Sequence, residues 1–402
     1  MIGKLNPNDK RVTIVGAGIS GLLIGYALKR KGYQVTIHEK TNRCGGLIET
    51  KHTPYGIVET AAHSILVNQT VKSLLDELGV EAIGVNSDAK ARYIFRKGKM
   101  RRMPLNILEI IQTLIRFFSK PKLTKPLSEL TLSEWGNAYL GHAATEYLLA
   151  PFTTGVFACH PKELNTQLSF PKLLPTSPHL SLFQHLRALR KNSKSDRGQM
   201  MVFKNGTQEL IQKLEAQLKE NIIFNSAVHD LNSIEGNLVL SVPAVDIQYS
   251  PLITATVFMP LSAFPRKAPK GVGVLIPRGE GLRILGVLFN SSAFEGRSLK
   301  PDHASLTVML GGTSDPEVLQ LNESEIRTII ESNLKTLFHT QEPASHMEIT
   351  KWSKAIPVYS FNLYQYITHL DKEYCTTPGK VVFTNFSGQV SIRGMIETIQ
   401  RL

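Results

Sequence analysis

The chain has 402 residues, 42% of them hydrophobic and 20% charged, with a formal net charge of +13. This is the composition of a folded protein of more than single-domain size, which excludes a disordered chain and a disulfide-dense miniature fold. No run approaches 18 uninterrupted apolar residues, so a membrane-spanning helix is excluded, and Cys44, Cys159 and Cys375 match no metal-ligand spacing.

Three thiols far apart predict free cysteines in a reducing interior. Some ten polar residues precede the first apolar run, too few for a signal or transit peptide. Residues 12–15 predict a short buried parallel strand. Gly16-Ala17-Gly18-Ile19-Ser20-Gly21 then supplies three glycines in G-x-G-x-x-G spacing. In that spacing Gly16 makes the tight turn, Gly18 admits a pyrophosphate to the backbone, and Gly21 lets helix and strand pack closely. The helix start offers unpaired N–H groups to phosphate. A second strand over 34–38 ends at Glu39, placed to accept hydrogen bonds from a ribose hydroxyl. A bare glycine motif is weak, but strand, glycines, helix, second strand and acid come here in order. After Glu39 and Lys40, Arg43-x-Gly45-Gly46 resembles the E-x(3)-R-x-G-G extension of the flavin amine oxidase superfamily. The resemblance implies FAD, held non-covalently, with Arg43 and the glycine pair beside its pyrophosphate.

A short strand is predicted at 56–59. From 89 to 125 there are eleven Lys and Arg against Glu109 alone, a net +10 over 37 residues. A second basic group follows at Arg187, Arg190, Lys191, Lys194 and Arg197. No nucleic-acid recognition motif accompanies either, so nucleic acid is not the expected partner. Between the basic flanks, Ile107, Leu108, Ile111, Leu114, Ile115 and Phe118 recur on one face of a helix predicted over 105–118. Ile110 and Phe117 widen that stripe. An amphipathic helix packed on the core accounts for this pattern as well as a helix lying in an anionic membrane interface does. Ile110 and Phe117 are the residues expected to face lipid under the second reading. The matching location is cytoplasmic, peripheral on the inner face of the cell membrane.

Beyond 198 the sequence returns to α/β character: a helix over 207–219 and strands at 222–224 and 238–242. Apolar or alternating strands follow at 255–259, 273–276, 285–289 and 306–309, with a helix at 323–338. A last strand at 380–384 leads into a terminal helix. The predicted fold is α/β. A Rossmann-type cofactor lobe (1–88, 198–245 and 346–402) is expected beside a helical basic region (89–197) and an antiparallel-sheet substrate lobe (246–345).

Over nearly its whole length the chain is similar to the protoporphyrinogen/coproporphyrinogen oxidase family. Gly155-Val156-Phe157-Ala158 with Pro161 and Leu164 resembles that family's G-[IV]-[YF]-A-x-x-P-x-x-L element. Residues 269–297 resemble its G-x-G-x-L-x-P…I-L-G segment, and Val308-Met309-Leu310-Gly311-Gly312 and Trp352…Tyr359 resemble two further blocks. The resemblance implies FAD-dependent oxidation of a porphyrinogen, with dioxygen as the usual acceptor. It implies that Arg92 pairs with a substrate propionate. Val272, Leu275, Met309 and Gly155 would line the macrocycle's slot, and Val228 and Val390 would join the cofactor site. No metal is implied, a homodimer is one assembly left open, and His63, His142 and His160 read as structural or surface. The chain departs from the family pattern at Ala61 and Ala62, at Asn385, and at Ile399. Two alternatives therefore stand: another amine oxidase or desaturase of the superfamily, or a catalytically impaired binder of FAD or tetrapyrrole.

Overall fold

A six-stranded sheet holds the glycine motif near its centre. The computed structural model describes the chain except residues 124, 176, 178, 193–197, 244, 377, 388 and 389 and the side chains of 191 and 192. The sheet order is Ile2–Lys4, Lys380–Val382, Asn237–Leu240, Arg11–Val15, Gln34–His38, Ile222–Ile223. Ile2–Lys4 is the antiparallel edge, and the other pairings are parallel. The apolar runs at Val12, Ile14, Val35 and Ile37 are buried because helices cover the sheet, as a parallel arrangement requires. Helix Ile19–Arg30 buries Leu22, Leu23, Ile24 and Leu28, and helices Gln69–Leu78 and Gln208–Leu218 complete that core.

A second sheet of seven strands runs His346–Pro357, Tyr249–Pro260, His303–Gly311, Ile284–Leu288, Gly273–Leu275, Arg92–Arg96, Lys99–Arg101. It is antiparallel except where Gly273–Leu275 and Arg92–Arg96 run side by side. Helix Glu323–Phe338, started by a reciprocal Asn322–Glu325 cap, buries Ile326, Ile330, Leu334 and Leu337 in the core beneath this sheet.

Three features of this architecture were not anticipated. The hairpin Arg92–Arg96/Lys99–Arg101 lies within the stretch read as helical. Its turn, Lys97-Gly98, has φ of 51° and 73°, as a tight hairpin prefers, but its many basic residues hide the strand alternation. His346–Pro357 joins the second sheet rather than the cofactor sheet, and its charged outer face obscures the pattern in the same way. Helix Phe361–Thr376 packs on the edge strand Ile2–Lys4, although its Tyr- and Thr-rich sequence has little helix propensity. Lys194 and Arg197 of the second basic group lie outside the described residues, as does the Lys191 side chain. Arg187 and Arg190 are on helix Leu182–Asn192.

Candidate functional site

The loop between strand Arg11–Val15 and helix Ile19–Arg30 is shaped by its glycines. Gly16 has φ +98°, and a Cβ there would stand 2.7 Å from Val242 Cγ1. A Cβ at Gly21 would run into the Gly16 carbonyl, so helix and loop touch directly. Gly18 differs from both. Its backbone is ordinary (φ −68°, ψ 175°), and a Cβ would meet nothing within 4 Å. Gly18 also caps the helix, and being a glycine it gives the first N–H groups no side-chain hydrogen bond. A pyrophosphate fits that cradle.

The second glycine loop closes on the first. Gly45 N–H donates to the Ala17 carbonyl at 2.9 Å, and Arg43 Nη2 ties the loop to the Gly46 carbonyl at 2.7 Å. Gly46 sits at φ +62°, where an added Cβ would be 3.5 Å from Gly18 Cα. The Glu39 carboxylate accepts from Ala17 N–H at 2.8 Å, and from Thr41 N–H and Oγ1 at 2.9 Å each. It braces the glycine loop as well as lining the cleft. That cleft, about 630 Å³, is bounded by Gly16, Glu39, Lys40, Val228 and Asn385.

A second cavity of about 480 Å³ lies between helix Ala150–Phe157, the seven-stranded sheet and the start of helix Ile392–Ile399. It brings together four of the predicted residues, Gly155, Leu275, Met309 and Val390. A Cβ at Gly155 would stand 2.9 Å from Leu275 Cδ2, so this glycine keeps the space open. The lining includes Leu252, Leu285 and Ile356 and, among the described residues, no Phe, Tyr or Trp. Ala61 and Ala62, two of the departures from the family pattern, also line it. Ile399 instead lies in the first core and so does not touch either cavity.

Two predicted residues stand apart. Val272 is buried at a small pocket of about 50 Å³ behind the cavity. Arg92 is exposed at the start of its strand, in an open polar depression with Asp88, Lys90 and Arg102. The cation that lines the apolar cavity is Arg393, whose Nε donates to Glu397 Oε1 at 2.7 Å.

His63, expected to be structural or at the surface, lines both the cavity and the pocket behind it. Its Nε2 is buried without a hydrogen-bond partner among the described residues. Burial, and then the charge of Arg297, push its pKa down to about 4. Nearby Glu59 and Arg297 form a buried pair at 3.4 Å, with Glu59 also accepting from Thr50 Oγ1 and Thr207 N–H. Burial raises the Glu59 pKa and lowers that of Arg297, each against the pull of the other. Nothing local in the sequence marks this group, because its members come together only through tertiary packing. The Cys44 thiol is pushed up to about 12 by burial, which makes it inert beside the cofactor loop.

The basic segment forms the helix Ile107–Phe118, in which no residue is buried. Ile107 is 77% exposed and Leu108 71%, and Ile111, Leu114, Ile115 and Phe118 are exposed too. Ile110 and Phe117, the residues expected to face lipid, are half-buried instead, and Phe117 packs on the core. The correction follows from geometry: the six-residue stripe faces outward, so the residues flanking it turn toward the protein. Asn106 and Glu109 form a reciprocal cap. Arg96 grips the Glu109 carboxylate with two bonds of 2.6 and 2.7 Å, and its guanidinium lies 3.6 Å from the Tyr147 ring centroid. Among the described residues no helix is long and apolar enough to cross a membrane.

Comparison with known proteins matches a family described as flavin containing amine oxidoreductase over residues 19–246 and 241–384. A mitochondrial protoporphyrinogen oxidase of Nicotiana tabacum is 26% identical, over 95% of this chain and 92% of its own. A coproporphyrinogen III oxidase of Staphylococcus aureus is 28% identical over 55% of each chain. The crystal structure of a candidate protoporphyrinogen oxidase from Exiguobacterium sp. 255-15 superposes with a TM-score of 0.77 at 18% identity, covering 99% of both chains. That likeness establishes the α/β fold.

Proposed function

The chain belongs to the flavin containing amine oxidoreductase family, and on that premise we propose that it oxidises a porphyrinogen, protoporphyrinogen IX or coproporphyrinogen III, to the porphyrin in tetrapyrrole synthesis. It is an FAD-dependent oxidoreductase, and dioxygen is the proposed acceptor. The observation that carries the reading is the 480 Å³ apolar cavity held open by Gly155 against Leu275. A porphyrinogen is a large apolar macrocycle with carboxylate side chains, and it needs such a slot plus a cation for orientation. Relatives named for both porphyrinogens support the same substrate class.

FAD, when bound, supplies a hydride acceptor for a bridging carbon of the macrocycle. Gly16, Gly18, Gly21, Gly45 and Gly46 form the proposed bed for its pyrophosphate, with Glu39, Lys40, Arg43 and Val228 around the adenosine part and Val390 toward the ring. Leu275, Met309 and their neighbours exclude water from the macrocycle. Arg393 at the cavity, and Arg92 beyond it, are the proposed partners for substrate carboxylates. An amine oxidase would favour an aromatic cage, and the cavity's described lining has none. The test is porphyrin fluorescence from the FAD-loaded protein with each porphyrinogen in turn.

We also propose peripheral attachment to an anionic membrane through helix Ile107–Phe118. Six exposed apolar side chains between basic flanks support this, and delivery from the bilayer would spare a poorly soluble substrate from water. Co-sedimentation with anionic and neutral liposomes at low salt tests it, and equal sedimentation with both contradicts it.

A further inference from the structure

Each two-electron step that turns a porphyrinogen toward a porphyrin removes one C–H as hydride and releases one proton. Over three steps four bridging C–H and two N–H hydrogens are lost, so in net terms two of the three protons come from pyrrole nitrogen and the third from a bridging carbon. The cavity therefore needs a proton acceptor in addition to a hydride acceptor. Building on the porphyrinogen reading, we propose that the imidazole of His63 takes up the pyrrolic proton.

His63 follows strand Gly56–Glu59 and stands where the apolar cavity meets the small pocket behind it. Its Nε2 is buried and has no hydrogen-bond partner among the described residues, an arrangement that costs stability unless something else occupies the site. Of the described side chains lining the cavity, only His63 and Arg393 are ionisable, and a guanidinium does not give up its proton. Glu59 lies deeper, in the pocket, already bound to Thr50, Thr207 and Arg297. The role falls to His63.

The charged groups facing the imidazole suit it. Burial and the Arg297 charge keep it neutral, so one ring nitrogen has a lone pair to offer at neutral pH. A base this weak suffices, because loss of hydride leaves the pyrrole nitrogen in a cationic and strongly acidic form. The pocket of about 50 Å³ beyond, lined by Asn290 and Thr307 beside Glu59 and Arg297, has room for about one water molecule or a few to carry the proton onward. The balance per step is one hydride to FAD and one proton to His63. Returned together to dioxygen, they make one hydrogen peroxide.

The test uses the FAD-loaded protein with His63→Gln, and with His63→Ala with and without added imidazole. Expected is a fall in kcat of about a hundredfold with flavin content and KM as in the wild type, partly restored to His63→Ala by imidazole. A second readout does not depend on turnover: ring ¹⁵N NMR should find His63 neutral at pH 7. A wild-type kcat in His63→Gln, or an imidazolium at pH 7, overturns the proposal while leaving the porphyrinogen reading intact. Loss of flavin or a fall in melting temperature in both variants overturns it by making His63 a structural residue. If the wild type forms no porphyrin, the porphyrinogen reading fails and this proposal fails with it.

Discussion

The cofactor cleft and the apolar cavity are built in different ways. The glycine bed at the cleft comes from one stretch, Gly16 to Gly46, in which two glycine loops close on each other and Glu39 braces the turn, while Val228 and Asn385 close the cleft from farther along the chain. The cavity is assembled from segments scattered along most of the chain: Ala61–His63, Gly155, Leu275, Met309 and Val390. A locally encoded site is fixed by turn geometry and tolerates little change. An assembled one is fixed by packing and can be reshaped one wall at a time.

Gly18→Val tests the local half and should have the largest effect. The backbone there is ordinary and a Cβ meets open space, so the fold should survive. The branched side chain would occupy the phosphate path, and the purified protein should be colourless after incubation with FAD while melting as the wild type does. A variant that still binds FAD breaks the contrast.

Gly155→Leu tests the assembled half. The new side chain must push Leu275 aside or fill the cavity, so porphyrinogen turnover should fall at least tenfold while flavin absorbance persists. Loss of flavin would show that the two regions are not separable.

Glu109→Gln probes a junction of both kinds, a local cap gripped by a distant arginine. Removing the charge should cost about 1.5–3 kcal/mol, read by denaturant titration. The Arg96 hydrogen bond holds the folded Glu109 pKa down to about 2 against an ordinary 4.5. A depressed carboxylate pKa stabilises the fold above the unfolded value and ceases to do so as pH falls through the folded one. The wild type's advantage over Glu109→Gln should therefore fade between pH 4.5 and 2.

The paired change Leu108→Ser with Ile115→Ser should abolish liposome attachment and leave the melting temperature unchanged. Ile110→Ser with Phe117→Ser should instead cost roughly 1–3 kcal/mol of stability. Reversed outcomes would mean that the helix rolls. Arg92→Ala should have the smallest effect, a few-fold change in KM, since Arg92 stands outside the cavity.

The same division explains what the sequence made legible. Helix Glu323–Phe338 and the unit from Val12 to Gly46 stood out because their periodicity, caps and glycines are local. Gly155, Leu275 and Met309 were found only through family resemblance, since each alone reads as an ordinary core residue. His63 was not singled out for chemistry, nor was the Glu59–Arg297 pair, because burial, not spacing, gives them theirs. For helix Ile107–Phe118 the apolar stripe was visible, but which flank turns inward was decided by the packing of Phe117 on a core assembled from distant segments.

The central claim is that cleft and cavity form one oxidising site. The direct measurement is anaerobic mixing of the FAD-loaded protein with protoporphyrinogen or coproporphyrinogen, following flavin absorbance and porphyrin fluorescence together. Bleaching of the flavin in step with oxidation of at least one of the two substrates is the predicted result. A flavin that stays fully coloured with both would contradict the account.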